Sequence, residues 1–182
     1  MLKSTLALIV VGLSVILFGC SGPTTGLQSY TNGKQGYEFL YPNGWQQVQV
    51  DNNTAGVDVV FRDLVEQSEN VSVVINEVAE GRTLSDLGTP LEVGQRLKNT
   101  LAPPNSERQG ELIRAGELEK EGQTYYILEY EVTFPDQRKR HNMASVAVSR
   151  GKLFTLNIST PQSRWESLSD RFTNMANSFE VY

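Results

Sequence analysis

Residues 124–134 read TYYILEYEVTF. A period of two puts Tyr126, Leu128, Tyr130, Val132 and Phe134 on one face of a β-strand. Tyr125, Ile127, Glu129, Glu131 and Thr133 take the other. The second face passes from apolar to charged along its length, so it reads as half covered. Strands lie on both sides of this one in sequence, at Leu112–Glu119, Met143–Arg150 and Leu153–Thr160. The turns between them hold Glu121-Gly122, Pro135-Asp136 and Arg150-Gly151-Lys152. Connections this short imply antiparallel neighbours.

Further upstream, Tyr37, Phe39 and Tyr41 alternate, and Pro42-Asn43-Gly44 turns the chain before Trp45, a residue read as core. Gln46–Val50 is read as a strand pairing back on its predecessor. Val57–Arg62 and Val71–Val78 are β-branched runs and read as two more strands. Two helices complete the pattern. Thr89-Pro90-Leu91-Glu92 fits a capping box with proline at the first helical position, followed by Val93, Leu97 and Leu101 on one stripe. Pro103-Pro104 stops that helix. Ser163-Arg164-Trp165-Glu166 reads as a second capping box. Trp165, Leu168, Phe172, Met175, Ala176 and Phe179 then recur at helical spacing. The order is four strands, helix, four strands, helix. Segregated elements favour an α+β class with a mainly antiparallel sheet, and a helix on each face would make an α/β/α sandwich.

The N-terminus is a separate problem. Residues 13–22 read LSVILFGCSG and contain the single cysteine of the chain. One cysteine makes no intramolecular disulfide. The apolar run from Leu6 to Phe18 is about 13 residues, short of the roughly 20 that a spanning helix needs. With Lys3 before it and Gly19 after it, the run suits a signal peptide. Leu17-Phe18-Gly19-Cys20 resembles the bacterial lipobox, Leu-x-Gly-Cys. That resemblance implies a diacylglyceryl group on the Cys20 thiol, cleavage after Gly19 and acylation of the new amino group. Residues 1–19 are thus expected to be a signal peptide. Cys20 and the polar stretch to Ser29 form a lipidated tether, and 30–182 form one domain. Two or more acyl chains hold a protein firmly at a bilayer without any spanning segment.

Composition excludes some functions. The chain carries 16 basic and 21 acidic residues, net −5. That balance argues against nucleic acid as a partner, since phosphate neutralisation needs a basic face. No nucleophile stands beside a base: Ser145 and His141 share a strand, but nothing marks the serine as activated. Glu129 and Glu131 lie about 7 Å apart by strand rise, a distance open to glycosidase chemistry, though paired glutamates on a long strand read first as solvated charge. Gly81, Gly88 and Gly94 are scattered and form no phosphate loop. His141, the only histidine, follows Arg138-Lys139-Arg140. It lacks the partners that metal spacing requires and reads as an exposed strand-edge side chain. The basic run is either a solvated turn or a docking patch.

Several stretches taken in order resemble the PsbP family of photosystem II proteins. They are GYEFLYPNGW (36–45), SDLGTPLE (85–92), GQTYY (122–126), GKLF (151–154) and Arg164-Trp165. The resemblance spans nearly all of residues 30–182 and, with the lipobox, is strongest to cyanobacterial lipoprotein members. It implies an α/β/α sandwich on the lumenal side of the thylakoid membrane. It implies association with photosystem II or its assembly intermediates, and no catalytic activity. Family members carry a histidine at the place of His141, paired in some with an aspartate before the Arg-Trp. Here that place holds Gln162 and Ser163. Retention of calcium and chloride belongs in plant members to a long N-terminal segment, where this chain has a short polar one.

The expectation is therefore a non-catalytic, monomeric docking protein anchored through Cys20, with Arg138, Lys139, Arg140 and Arg164 as its contact patch. A metal-handling lipoprotein using His141 for Zn, Mn or Ca is the alternative. A solute-binding or hydrolytic lipoprotein is a third reading, and it requires a deep pocket with convergent polar groups.

Overall fold

The computed structural model describes residues 26–50 and 56–182. Cys20 and the segment around it lie outside the described residues, as do residues 51–55. Ten strands are described: β1 Leu27–Asn32, β2 Tyr37–Pro42, β3 Gln46–Val48, β4 Val57–Arg62, β5 Asn70–Glu77, β6 Gln109–Lys120, β7 Gln123–Thr133, β8 Lys139–Ser149, β9 Lys152–Pro161 and β10 Glu180–Val181. Helix α1 is Pro90–Leu101 and α2 is Gln162–Asn177.

A seven-stranded sheet runs in the order β3-β4-β5-β9-β8-β7-β6, antiparallel throughout. The connection from β5 through α1 carries the chain to the far edge, from which it returns by hairpins. Strand β8 lies inside the sheet, between β9 and β7, and is buried on both sides over most of its length. One face packs Tyr126, Leu128, Tyr130, Ala144 and Val146 under Val93 of α1. The other packs Tyr125, Met143 and Leu156 under Phe172 and Met175 of α2. The two helices therefore cover opposite faces, and the α/β/α sandwich is observed. A second, three-stranded sheet, β1-β2-β10, lies on the α2 side, where Tyr37 and Phe39 join the same core.

The sequence-level elements need four corrections. The first strand begins at Leu27, inside the stretch read as tether, so five strands precede α1. Gln46–Val48 pairs with β4 rather than with β2, because the Pro42–Trp45 turn takes the chain from the small sheet to the large one. A two-residue strand, β10, closes the small sheet against β2. Helix α2 has no capping box. It starts at Gln162, directly off the end of β9, with Pro161 at the N-cap and no side-chain cap. The box on α1 does form. Thr89 Oγ1 accepts from the Glu92 N–H at 3.3 Å, and the Glu92 carboxylate accepts from the Thr89 N–H at 2.8 Å.

Candidate docking end and its buried polar cluster

The face of β7 that turns from apolar to charged is the one under the first turn of α2. Across β8 the register sets Glu131 opposite His141 and Glu129 opposite Met143. His141, Glu129 and Glu131 therefore point the same way, toward Trp165. The imidazole of His141 stacks on the Trp165 indole with centroids 3.7 Å apart and planes 10° apart. Its Nε2 lies 2.8 Å from Glu129 Oε1, and its Nδ1 lies 3.0 Å from Gln162 Oε1. Only 3% of His141 is exposed, so the strand-edge reading is corrected. Glu129 is buried as well, which replaces the solvated-pair reading.

The second partner of Glu129 comes from a bulge. The β6–β7 register shifts between Leu112 and Arg114, which leaves Ile113 unpaired and sets Arg114 across from Glu129. Arg114 Nη2 then reaches Glu129 Oε2 at 3.0 Å. A regular ladder would bring Ile113 to that position, so the bulge re-aims one cation and throws an apolar side chain outward. Both oxygens of the carboxylate are thereby satisfied.

Both ring nitrogens of His141 are occupied and one ring face is covered, so the side chain presents no open lone pair to an ion. Among the described residues there is no group of three or more His, Cys, Asp or Glu able to hold a metal. The residues here do not fit the paired histidine–aspartate site that some family members have. Gln162 stands at that place and hydrogen-bonds the histidine instead. Ser145 is fully buried and its hydroxyl has no hydrogen-bond partner, so no base activates it.

Beside this cluster, the end of β7, the start of β8 and the start of α2 enclose an open groove of about 630 Å³. Phe134 and Pro161 supply apolar walls, and Arg138, Lys139 and Arg140 line it. The four basic residues of the expected patch play different parts. Arg138 is 81% exposed in its side chain and bonds the Asp136 carboxylate at 2.6 Å. Lys139, half exposed, bonds Glu131 at 2.7 Å, a contact that raises its pKa and keeps it charged. Arg140 is turned inward. It donates to Ser159 Oγ and to the Ser68 carbonyl, and burial lowers its pKa. Arg164 clamps the buried Glu69, which also accepts from Thr160 at 2.9 Å, and that bond raises the arginine's pKa. Arg138 and Lys139 thus stay at the surface, each paired with a carboxylate, while Arg140 and Arg164 tie α2 and β9 to the β4–β5 loop.

The PsbP family profile matches residues 25–181. The chain belongs to the PsbP family. It is 51% identical over 173 residues to CyanoP of Thermosynechococcus vestitus, covering 92% of each chain. To CyanoP of Synechocystis sp. it is 46% identical over 183 residues, covering 100% of this chain and 97% of that one. The solution structure of cyanobacterial PsbP (CyanoP) from Synechocystis sp. PCC 6803 superposes with a TM-score of 0.77 at 48% identity, over 90% of this chain and 96% of that one. The PsbP resemblance read from residues 36–45, 85–92, 122–126 and 151–154 is therefore established, and so is the sandwich it implied. Sequence reasoning missed Glu129 and Trp165 as partners of His141. The available signal was the change of β7 from apolar to charged at the place where the α2 stripe begins.

Proposed function

We propose that this chain is a non-catalytic accessory or assembly protein of photosystem II, held on the lumenal side of the thylakoid membrane by lipid on Cys20. Membership of the PsbP family associates it with photosystem II, and that membership is the observation that carries the reading. The alignment with CyanoP of Synechocystis sp. takes in the whole chain, the lipobox-like stretch included. Among the described residues no helix is long and apolar enough to cross a membrane.

Docking uses the groove beside α2. Its apolar walls suit one or two apolar side chains, and Arg138 and Lys139 suit an acidic flank on the partner. Confinement to the membrane surface raises the effective concentration of the two proteins, so a small contact is sufficient. The test is recovery of photosystem II subunits from detergent-solubilised thylakoids by the wild-type chain and by Arg138→Glu/Lys139→Glu. The wild type recovers them and the variant loses most of that recovery. Equal recovery removes the groove from the proposal, and no recovery by the wild type removes the docking function.

A further inference from the structure

The β4–β5 loop carries the most exposed large apolar side chain described: Val65 is 95% exposed, and the adjacent Leu64 is 55% exposed. Single exposed apolar residues are ordinary on a protein surface. This pair differs because its loop is locked in place. The Asp63 carboxylate accepts from the N–H groups of Val65 and Glu66 at 2.7 Å each. The Glu66 carboxylate accepts from the Ser68 N–H at 3.2 Å and from its hydroxyl. Backbone bonds from Asp63 to Glu69 and from Glu69 to Glu66 close the turn, and Arg140 donates to the Ser68 carbonyl from β8. The loop's carboxylates are thus spent on its own backbone and hydroxyl groups, or on Arg164, while Leu64 and Val65 are held outward.

Their place in the fold supplies the occupant. Strand β1 begins where β2 ends, Leu27 opposite Pro42, and the Asn43 N–H bonds the Gly26 carbonyl at 2.9 Å. The chain then turns into β3, whose first residue, Gln46, lies opposite Arg62, the last residue of β4. Leu64 follows two residues later. The point where the N-terminal segment enters the domain and the Leu64-Val65 pair therefore share one end of the sandwich. From Cys20 to Gly26 there are six peptide units, which span about 20 Å at full extension. A lipid on Cys20 ties the domain to the bilayer by this end.

We propose that Leu64 and Val65 are a second membrane contact, entering the headgroup–acyl boundary of the bilayer and fixing the orientation of the lipid-anchored domain. The inference rests on acylation of Cys20. Arg138, in the β7–β8 turn, and Lys139, the first residue of β8, stand at the same end, each paired with a carboxylate. An amphipathic contact of this kind buries its apolar groups about 5–10 Å below the headgroup surface.

The single cysteine makes a direct test available, because a thioether at Cys20 leaves an introduced thiol as the sole reactive one. Full-length Val65→Cys and Lys34→Cys are purified from membranes and labelled with an environment-sensitive fluorophore. Each is then reconstituted in phosphatidylcholine–phosphatidylglycerol vesicles carrying a shallow spin-labelled lipid. Lys34 lies in the β1–β2 turn at the opposite end, about 20 Å away by strand rise. The probe at 65 should shift to shorter wavelength and be quenched at least about twofold more than the probe at 34, as its shallow depth requires. An acylated chain whose probe at 65 stays as water-exposed as that at 34 overturns the second contact and leaves the anchor intact. A chain whose mass shows no acyl group overturns the anchor and this contact together. A shift seen only when thylakoid proteins are added assigns the loop to a protein partner and also overturns the contact.

Discussion

Replacing Glu129 by leucine isolates the energetics of the buried cluster. The substitution keeps a similar volume on the α2 face but removes the acceptor 2.8 Å from His141 Nε2. Arg114 also loses its partner, yet its side chain is largely exposed and water replaces the carboxylate, so that loss is small. The orphaned ring N–H sits in a site only 3% exposed, under Trp165. Leaving a buried donor unsatisfied costs about 1–3 kcal/mol. For a domain of this size that lowers Tm by about 2–10 °C. His141→Phe alone strands the Glu129 carboxylate with one partner and costs a similar amount. The double variant should recover most of the loss, because phenylalanine keeps the ring on Trp165 and the groups that lose a partner, Gln162 Oε1 and the Arg114 guanidinium, are not buried and are met by water. The cycle is measured by urea and thermal unfolding of the four proteins, with an expected coupling of about 1–3 kcal/mol. Single losses that simply add, within about 0.5 kcal/mol, would refute the hydrogen bond as the energetic link.

Three further outcomes follow from the same geometry. Phe172→Ala opens a cavity beneath α2, between Trp45 and Trp165, and should cost about 3–5 kcal/mol by chemical denaturation; an unchanged midpoint would mean that α2 is not docked on the sheet. Thr89→Ala removes one half of the α1 capping box and should cost about 1 kcal/mol, whereas Ser163→Ala should be nearly neutral because α2 has no side-chain cap. Acid should loosen the β4–β5 loop. Burial acts to raise the Asp63 pKa, but the N–H groups of Glu66 and Val65, with the Trp45 side chain, outweigh it and hold it low. A depressed carboxyl stabilises the loop above its unfolded pKa, near 3.9, and loses that contribution as pH falls through the lower folded value. Amide exchange at Val65 and Glu66 should therefore stay protected from neutral pH down to about 4 and lose protection below it. Protection already lost between pH 7 and 5 would contradict this.

What could be read in advance was what repeats. Period-two alternation in β7 and period-3.6 spacing in α2 each encode a buried face, and both recur in the structure at those faces. Short or coupled features were not legible. β10 has two residues and exists because the end of α2 delivers Glu180 and Val181 to β2. The serine-first box at Ser163 failed because β9 runs into α2 without a loop, which places Pro161 at the cap. His141 looked exposed because its cover, Trp165, lies on another element. Glu129 looked solvated because the bulge at Ile113, which brings Arg114 across from it, leaves no mark in local sequence. Arg138, Lys139, Arg140 and Arg164 read together as a candidate patch, but Arg140 and Arg164 each had an internal acceptor that only tertiary structure supplies.

A docking domain held at a bilayer needs its acyl chains, and the intact mass of the mature polypeptide from native membranes tests for them directly. Loss of residues 1–19, with a diacylglyceryl group and an acyl chain added at Cys20, is the predicted result. A chain that retains Met1, or one that begins at Cys20 with an unmodified thiol, would contradict it.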